Sequence, residues 1–236
     1  MFYALGLGFL IGMKHAIEAD HIAAVASLAT RSRDVGETTR LGIAWGIGHT
    51  LTLFLVGSVV LALDTVVPET VAGMLEFAVG LMLVGLGIDV LVRMWRSRTH
   101  FHGHDHGGAR HFHAHRHGHD AAHGPDAHAH IHRARLPLRA LLVGLVHGMA
   151  GSAALVLLTL SSMPSVWMGL AYMFLFGLGS VAGMAVLSCA IAVPLRFTAA
   201  RLTWAWRGVN AGIGVLTVVL GASIAWRTGM AGGLLG

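Results

Sequence analysis

The chain has 236 residues, of which 55% are hydrophobic and only 11% are charged. This composition excludes an ordinary soluble domain and is typical of a polytopic membrane protein. The formal net charge of +5 at pH 7 does not indicate nucleic-acid binding, because the arginines fall between apolar segments instead of forming one patch. A single cysteine, Cys189, excludes an internal disulfide and a cysteine-rich metal site.

Apolar windows long enough to cross a bilayer as helices recur along the chain. Six such windows cover residues 2–28, 41–63, 71–95, 138–160, 166–194 and 205–226. The predicted fold class is therefore an all-α polytopic membrane protein with six transmembrane helices. Small residues within the windows, such as Gly8 and Gly12, let helix backbones approach closely and predict a compact bundle.

The first window contains the polar sequence KHAIEADHI, residues 14–22. Lys14, Glu18 and Asp20 would each cost about 2.5 to 3.5 kcal/mol if charged and unpaired at the centre of a membrane helix. The segment must therefore face protein, water or a cation. Because Lys14 precedes Glu18 by four residues, a regular helix predicts an ion pair between them.

Helical geometry limits what this stretch does alone. His15, Glu18 and His21 form one stripe of a regular helix, whereas Asp20 lies about 140° round from His15. A straight helix cannot bring His15, Asp20 and His21 onto one ion. The sequence therefore predicts either that the helix is opened locally or that ligands come from other spans.

Other spans supply candidate ligands. His49 lies in the second window and His147 in the fourth. A lone histidine in an apolar helix is more often packed or hydrogen-bonded than a ligand, but four with two acids nearby favour a metal site. Neutral imidazoles and a carboxylate suit divalent nickel or cobalt, and the lack of thiolates disfavours copper(I) or structural zinc. Further candidates for the metal site or the pathway are Glu18, Lys14, His147 and Asp89, the last of which lies near the end of the third window.

The loop at 97–137 differs sharply in composition, since it holds thirteen of the 17 histidines. Such density is typical of metal binding, and the scarcity of apolar residues predicts disorder without metal. The loop is interpreted as a metal buffer or delivery arm, and the alternative is a solvated polar linker. The histidines assigned to the buffer are His102, His104, His106, His113, His115 and His117.

An internal repeat divides the chain into three parts. The segment that begins at Leu10 aligns with the one at Leu142, which places His15 over His147, and the later spans align at an offset of 131. Three spans in each unit predict two inverted repeats, as in many secondary transporters. The predicted domains are a first repeat at 1–96, the loop at 97–137 and a second repeat at 138–236.

Basic residues are concentrated in alternate connections, those after the first, third and fifth spans. The six windows predict a multi-pass protein of the cell (inner) membrane, and the positive-inside rule gives its orientation. Both termini are predicted to lie outside, with the histidine-rich loop in the cytoplasm.

Two short motifs resemble those of a known family. The residues from His15 to Ile22 resemble the HX4DH signature of the nickel/cobalt transporter family, whose usual form is RHA(V/F)DADHI. Gly48-His49-Thr50 resembles that family's second signature, LGHS(T)VV, on the following span. The resemblance implies that His15, Asp20 and His21 take part in metal recognition, with His49 supporting them.

The chain also departs from the family pattern. Lys14 replaces the usual arginine and Glu18 the usual aspartate, and both keep the charge. The later LGFDTATE signature is missing, since the corresponding region, 146–155, is VHGMAGSAAL. Six spans are fewer than the eight typical of high-affinity permeases. These differences point to the shorter, urease-associated or efflux-type relatives.

The sequence therefore predicts a transporter of Ni²⁺ and/or Co²⁺ that works by alternating access, with uptake slightly favoured over efflux. The protein is expected to be no enzyme and to hold no prosthetic group, the metal being its substrate. Expected partners are the bilayer, the metal ion and a cytoplasmic metallochaperone or energising subunit, with no nucleic acid. Two alternatives stay open: a membrane-anchored sensor or buffer acting through the loop, and an intramembrane metalloenzyme.

Overall fold

The structure of the chain is a computed structural model. It describes residues 2–32, 34–63, 68–96, 101–106, 109–114, 137–148, 165–201 and 203–231. The membrane part of this described region is helical, as the sequence predicts. Its seven helices are α1 (Phe2–His15), α2 (Ala19–Ala29), α3 (Val35–Leu63), α4 (Glu69–Arg96), α5 (Leu138–His147), α6 (Val166–Arg201) and α7 (Thr203–Ala231).

Four of these helices, α3, α4, α6 and α7, are long and apolar enough to cross a membrane. They extend the predicted windows by a few residues at one or both ends. Helix α5 begins at Leu138, where the fourth window was predicted to begin, and ends at His147. The rest of that window, from 149 on, lies outside the described residues.

The first window is not the single helix that was predicted for residues 2–28. Helix α1 ends at His15 and α2 begins at Ala19. The connection is a tight turn, in which the amide of Glu18 donates to the carbonyl of His15 at 3.1 Å. Glu18 then adopts an extended conformation, with φ −67° and ψ 152°, before α2 starts. Local opening, one of the two alternatives that helical geometry allowed, is therefore confirmed.

Glycines set how closely the helices cross. At the crossing of α1 and α6, a Cβ on Gly12 would overlap the carbonyl oxygen of Phe176. At the crossing of α3 and α5, a Cβ on Gly144 would overlap the carbonyl oxygen of Trp45. Small residues permit such backbone approach in membrane helices, so both crossings depend on glycine.

The most extensive packing between two described helices is that of α4 against α7. Gly80 lies against Gly221, and Gly87 lies against Gly214. The buried core lies between α2, α3, α4 and α6, where Leu83 is among its fully buried members. Many large apolar side chains point outward instead, which fits a surface that faces lipid.

The histidine-rich loop differs from the prediction of disorder over part of its length. Strands β1 (Phe101–His106) and β2 (Ala109–Ala114) pair as an antiparallel hairpin. The Cα partners include His102 with His113 and His104 with His111. Composition alone predicted disorder. The HxH sequences alternate with the period of two that is typical of β-strands, however, and the Gly-Gly dipeptide between them is typical of a hairpin turn.

Candidate metal-binding site

Four buried histidines from separate helices meet at the break between α1 and α2. His15 is the last residue of α1, His21 lies in the first turn of α2, His49 lies in α3, and His147 is the last residue of α5. Their exposed fractions are 5%, 0%, 0% and 2% respectively. The ring of His21 is central, with its centroid 4.4 Å from that of His15, 5.1 Å from that of His49 and 4.5 Å from that of His147.

Three of these imidazoles form a first triad, His15, His21 and His49, whose ligand atoms all lie within 4.8 Å of one another. Nε2 of His15 is 3.2 Å from Nε2 of His49. The other nitrogen of His15, Nδ1, is 2.8 Å from Oε1 of Glu18. A carboxylate in this position orients a metal-binding imidazole and favours a proton on the nitrogen that faces it. Glu18 therefore leaves Nε2 of His15 as the ligand atom.

A second triad, Asp20, His21 and His147, satisfies the same distance limit. The Asp20 carboxylate bridges the two histidines, with Oδ1 2.9 Å from Nδ1 of His21 and Oδ2 3.2 Å from Nε2 of His147. The backbone amide of His21 also donates to Oδ1 at 2.9 Å. Asp20 is thus fixed by several contacts, with one oxygen toward each histidine.

Several nitrogens in the cluster have no hydrogen-bond partner among the described residues, namely Nε2 of His21, Nδ1 of His49 and Nδ1 of His147. Leaving a buried polar group unsatisfied costs roughly 1–3 kcal/mol, so clusters of such groups are rare without a purpose. Imidazole nitrogens beside a carboxylate are a donor set that binds divalent first-row metals, and Nε2 of His21 is free to serve in it. The residues therefore fit a divalent transition-metal ion.

Comparison with known proteins identifies a relative of nearly equal length. The chain is similar to the urease accessory protein UreH of Bacillus sp. (strain TB-90), with 33% identity over 233 residues. The match covers 98% of this chain and 93% of that protein. The chain belongs to the UreH family. No family model matches it, and no solved structure matches it. The expectation of a urease-associated relative is confirmed at this level.

In this member of the UreH family, the structure brings together the site residues that were predicted from three different windows. His15, Asp20, His21 and His49 all lie in the cluster, and so does His147, which the sequence marked as a further candidate. They do not form one set around one point, since Asp20 belongs to the second triad and His15 to the first.

The prediction of an ion pair between Lys14 and Glu18 is wrong. Both residues are described by the structure, and their side chains do not pair. Helix α1 ends at His15, so the four-residue spacing no longer places the two side chains on one face. Glu18 pairs with His15 instead, and Lys14 is exposed.

Asp89 lies in a different cluster, with arginines instead of histidines. Its Oδ2 accepts hydrogen bonds from Arg31 at 2.6 Å and from Arg93 at 3.1 Å, and its Oδ1 lies 3.6 Å from a guanidinium nitrogen of Arg139. Arg93 also donates to the hydroxyl of Thr30 at 3.1 Å. The carboxylate thus joins the end of α2, helix α4 and the start of α5.

Two aromatic residues that line the histidine cluster were not predicted from the sequence. The ring of Trp45, fully buried, lies 5.1 Å from that of His21 and 5.2 Å from that of His147. The ring of Phe176 lies 5.4 Å from that of His15. Trp45 could have been found from the sequence, because it precedes His49 by four residues and so shares its helix face.

Most histidines of the metal-buffer prediction lie on the hairpin. His102, His104 and His106 are in β1, and His113 is in β2. The remaining two, His115 and His117, lie outside the described residues.

Proposed function

We propose that this chain is a transmembrane transporter of a divalent transition-metal ion, Ni²⁺ and/or Co²⁺. The observation that carries the proposal is the first triad, His15, His21 and His49, buried among apolar helices with Nε2 of His21 unpartnered. Polar side chains buried at membrane depth usually mark an ion or substrate pathway. Asp20 completes the proposed centre and offsets part of the ion's charge.

The donor chemistry supports nickel or cobalt over other metals. Imidazole nitrogens suit first-row divalent metals, whereas copper(I) and structural zinc sites favour thiolates. The single cysteine, Cys189, is exposed on α6. The HX4DH resemblance, which runs from His15 to His21, implies the same metals.

We further propose the six-span inverted-repeat architecture, with repeats at 1–96 and 138–236. Support comes from equivalent glycine crossings. Adding 132 to Gly12 gives Gly144, and adding 131 to Trp45 gives Phe176. The contact between Gly12 and Phe176 therefore has a counterpart in the contact between Gly144 and Trp45.

A second pair of contacts follows the same rule. Gly179 lies against Phe9, and Gly48 lies against Leu141. Adding 132 to Phe9 gives Leu141, and adding 131 to Gly48 gives Gly179. A pseudo-two-fold relation between the halves accounts for both pairs, and it puts the histidine cluster between the repeats, where such transporters bind substrate.

The proposed topology has both termini outside and the histidine-rich loop, 97–137, in the cytoplasm. The ion is captured between the repeats and released on the other side when one repeat rocks against the other. The name of the relative, a urease accessory protein, supports uptake, because a protein that assists an enzyme would do so by supplying a metal ion and not by removing one. The loop would then receive the imported metal.

Metal accumulation in whole cells tests the proposal. Cells without their own nickel import, expressing the chain, should accumulate more radiolabelled nickel or cobalt than cells carrying the vector. The His21→Ala variant should accumulate no more than vector at equal membrane abundance. The matched control is His132→Ala, one histidine among many in the loop, which should behave as wild type. Equal accumulation with His21→Ala and wild type would overturn the assignment, and a fall below vector would reverse the direction.

A further inference from the structure

We propose that the centre contains two overlapping coordination positions that share His21. The ion first binds His15, His21 and His49, and then moves to Asp20, His21 and His147. The inference rests on the transport function proposed above, and it assigns His147 as a ligand of the second position.

The placement of the rings supports two positions instead of one. His15 and His147 flank His21 at nearly equal centroid distances, 4.4 and 4.5 Å. Each triad separately has its ligand atoms within 4.8 Å of one another. His21 is the member that the two triads have in common.

The chemistry of imidazole makes the two positions alternatives. A neutral imidazole has one unprotonated ring nitrogen, so His21 can ligate an ion in one position at a time. In the first position, Nδ1–H of His21 donates to Oδ1 of Asp20, 2.9 Å away, and Nε2 is left to bind the metal. In the second position, Asp20 is itself a ligand and Nδ1 of His21 binds beside it, so the proton of His21 moves from Nδ1 to Nε2, the nitrogen that the ion has left.

The two positions also differ in donor type. The first triad, His15, His21 and His49, offers three neutral imidazoles, and its nearby carboxylate, Glu18, acts only through His15. The second triad, by contrast, includes the carboxylate of Asp20, whose negative charge directly stabilises a partly dehydrated cation. Oδ2 of Asp20 and Nε2 of His147 are 3.2 Å apart. Passage between positions of different donor type lets an ion bind without being held too strongly to leave.

The ends of α1 and α5 give the order of the two positions. His15 is the last residue of α1, and His147 is the last residue of α5. In the proposed topology these helices enter the membrane from opposite sides. The first position is therefore reached from outside, and the second position opens toward the cytoplasm.

Initial rates of nickel uptake in cells, measured over a range of Ni²⁺ concentrations, separate the two positions. His147→Gln keeps a hydrogen-bond donor for Asp20 but is a much poorer metal ligand than histidine. We expect it to lower the maximal rate by about tenfold or more while the half-saturating concentration stays nearly unchanged. His49→Gln should instead raise the half-saturating concentration by about tenfold. Rates are normalised to the amount of protein in the membrane, and His132→Gln is the matched control.

Each result decides a separate point. A wild-type maximal rate in His147→Gln would mean that His147 only packs and hydrogen-bonds, which would overturn the inference. A rise in half-saturating concentration equal to that of His49→Gln would mean one four-histidine position, and this too would overturn it. In both cases uptake by wild type, and its loss in His21→Ala, would leave the transport function standing. Absence of uptake by wild type would instead contradict the transport function itself.

Discussion

Nε2 of His15 lies 3.2 Å from Nε2 of His49, although the two residues come from different helices. At this distance one nitrogen donates a hydrogen bond and the other accepts it, or both turn their lone pairs to the same cation. The carboxylate of Glu18, 2.8 Å from Nδ1 of His15, holds the proton on that side, so Nε2 of His15 keeps its lone pair free to accept from His49 or to bind a cation.

The first prediction concerns this orienting carboxylate. Glu18→Gln should raise the half-saturating concentration for nickel uptake by about tenfold, because His15 is then less well fixed as a ligand. The maximal rate should change little. Glu69→Gln, at the exposed start of α4, is the matched control and should leave both constants unchanged. If Glu18→Gln matched that control, Glu18 would have no part in orienting His15.

The second prediction concerns the close crossing of α3 and α5. Gly144→Ala places a methyl group against the backbone of Trp45, so it should destabilise the fold by about 1–3 kcal/mol. Gly85→Ala is a matched control, because a Cβ there meets no atom within 4 Å. Thermal unfolding of the purified proteins in detergent makes the comparison. Equal midpoints for the two variants would show that the crossing is looser than described.

The third prediction concerns the arginine cluster. Asp89→Asn removes the negative charge between Arg31, Arg93 and Arg139 and leaves three cations near one another. Because these side chains are partly exposed, the loss of stability should be on the order of 1 kcal/mol. The half-saturating concentration for nickel should not change, because the side chains that Asp89 contacts in the described structure are arginines and not the histidines of the cluster. An increase of the size seen with His49→Gln would instead make Asp89 part of the metal pathway.

The fourth prediction separates the transporter from a sensor or buffer that acts through the loop. A chain that lacks residues 100–132 should still take up nickel, because the four buried histidines remain. It should retain less metal at saturation, since the loop histidines are gone. Complete loss of uptake, with the protein still present in the membrane, would favour the loop as the active part.

The residues of the candidate site could be singled out from the sequence, and so could the helical fold class. Charged residues are so costly within an apolar segment that Lys14, Glu18 and Asp20 mark the stretch that also holds His15 and His21. The angle of about 140° between His15 and Asp20 also predicted that a straight helix would fail, and the chain does break there. His49 and His147 were candidates because each is a histidine within another apolar window.

Other features depended on tertiary structure that residue patterns do not encode. The pairing of Lys14 with Glu18 assumed a continuous helix, and the break removed that geometry. Asp89 is a pathway candidate because it lies near a helix end, and its contact with Arg139, which is remote in sequence, could not be predicted. Composition could not distinguish a disordered loop from the paired strands at 101–106 and 109–114, because both tolerate a polar sequence that alternates with a period of two.

The most direct test of the central claim is metal entry into sealed vesicles that contain this protein alone. A Ni²⁺-sensitive dye is trapped inside, Ni²⁺ is added outside, and the dye signal is followed with time. The account predicts faster entry than in protein-free vesicles, and entry at the protein-free rate when His15 and His21 are both replaced by alanine. Entry at the protein-free rate with wild type, or at the wild-type rate with the double variant, would contradict it.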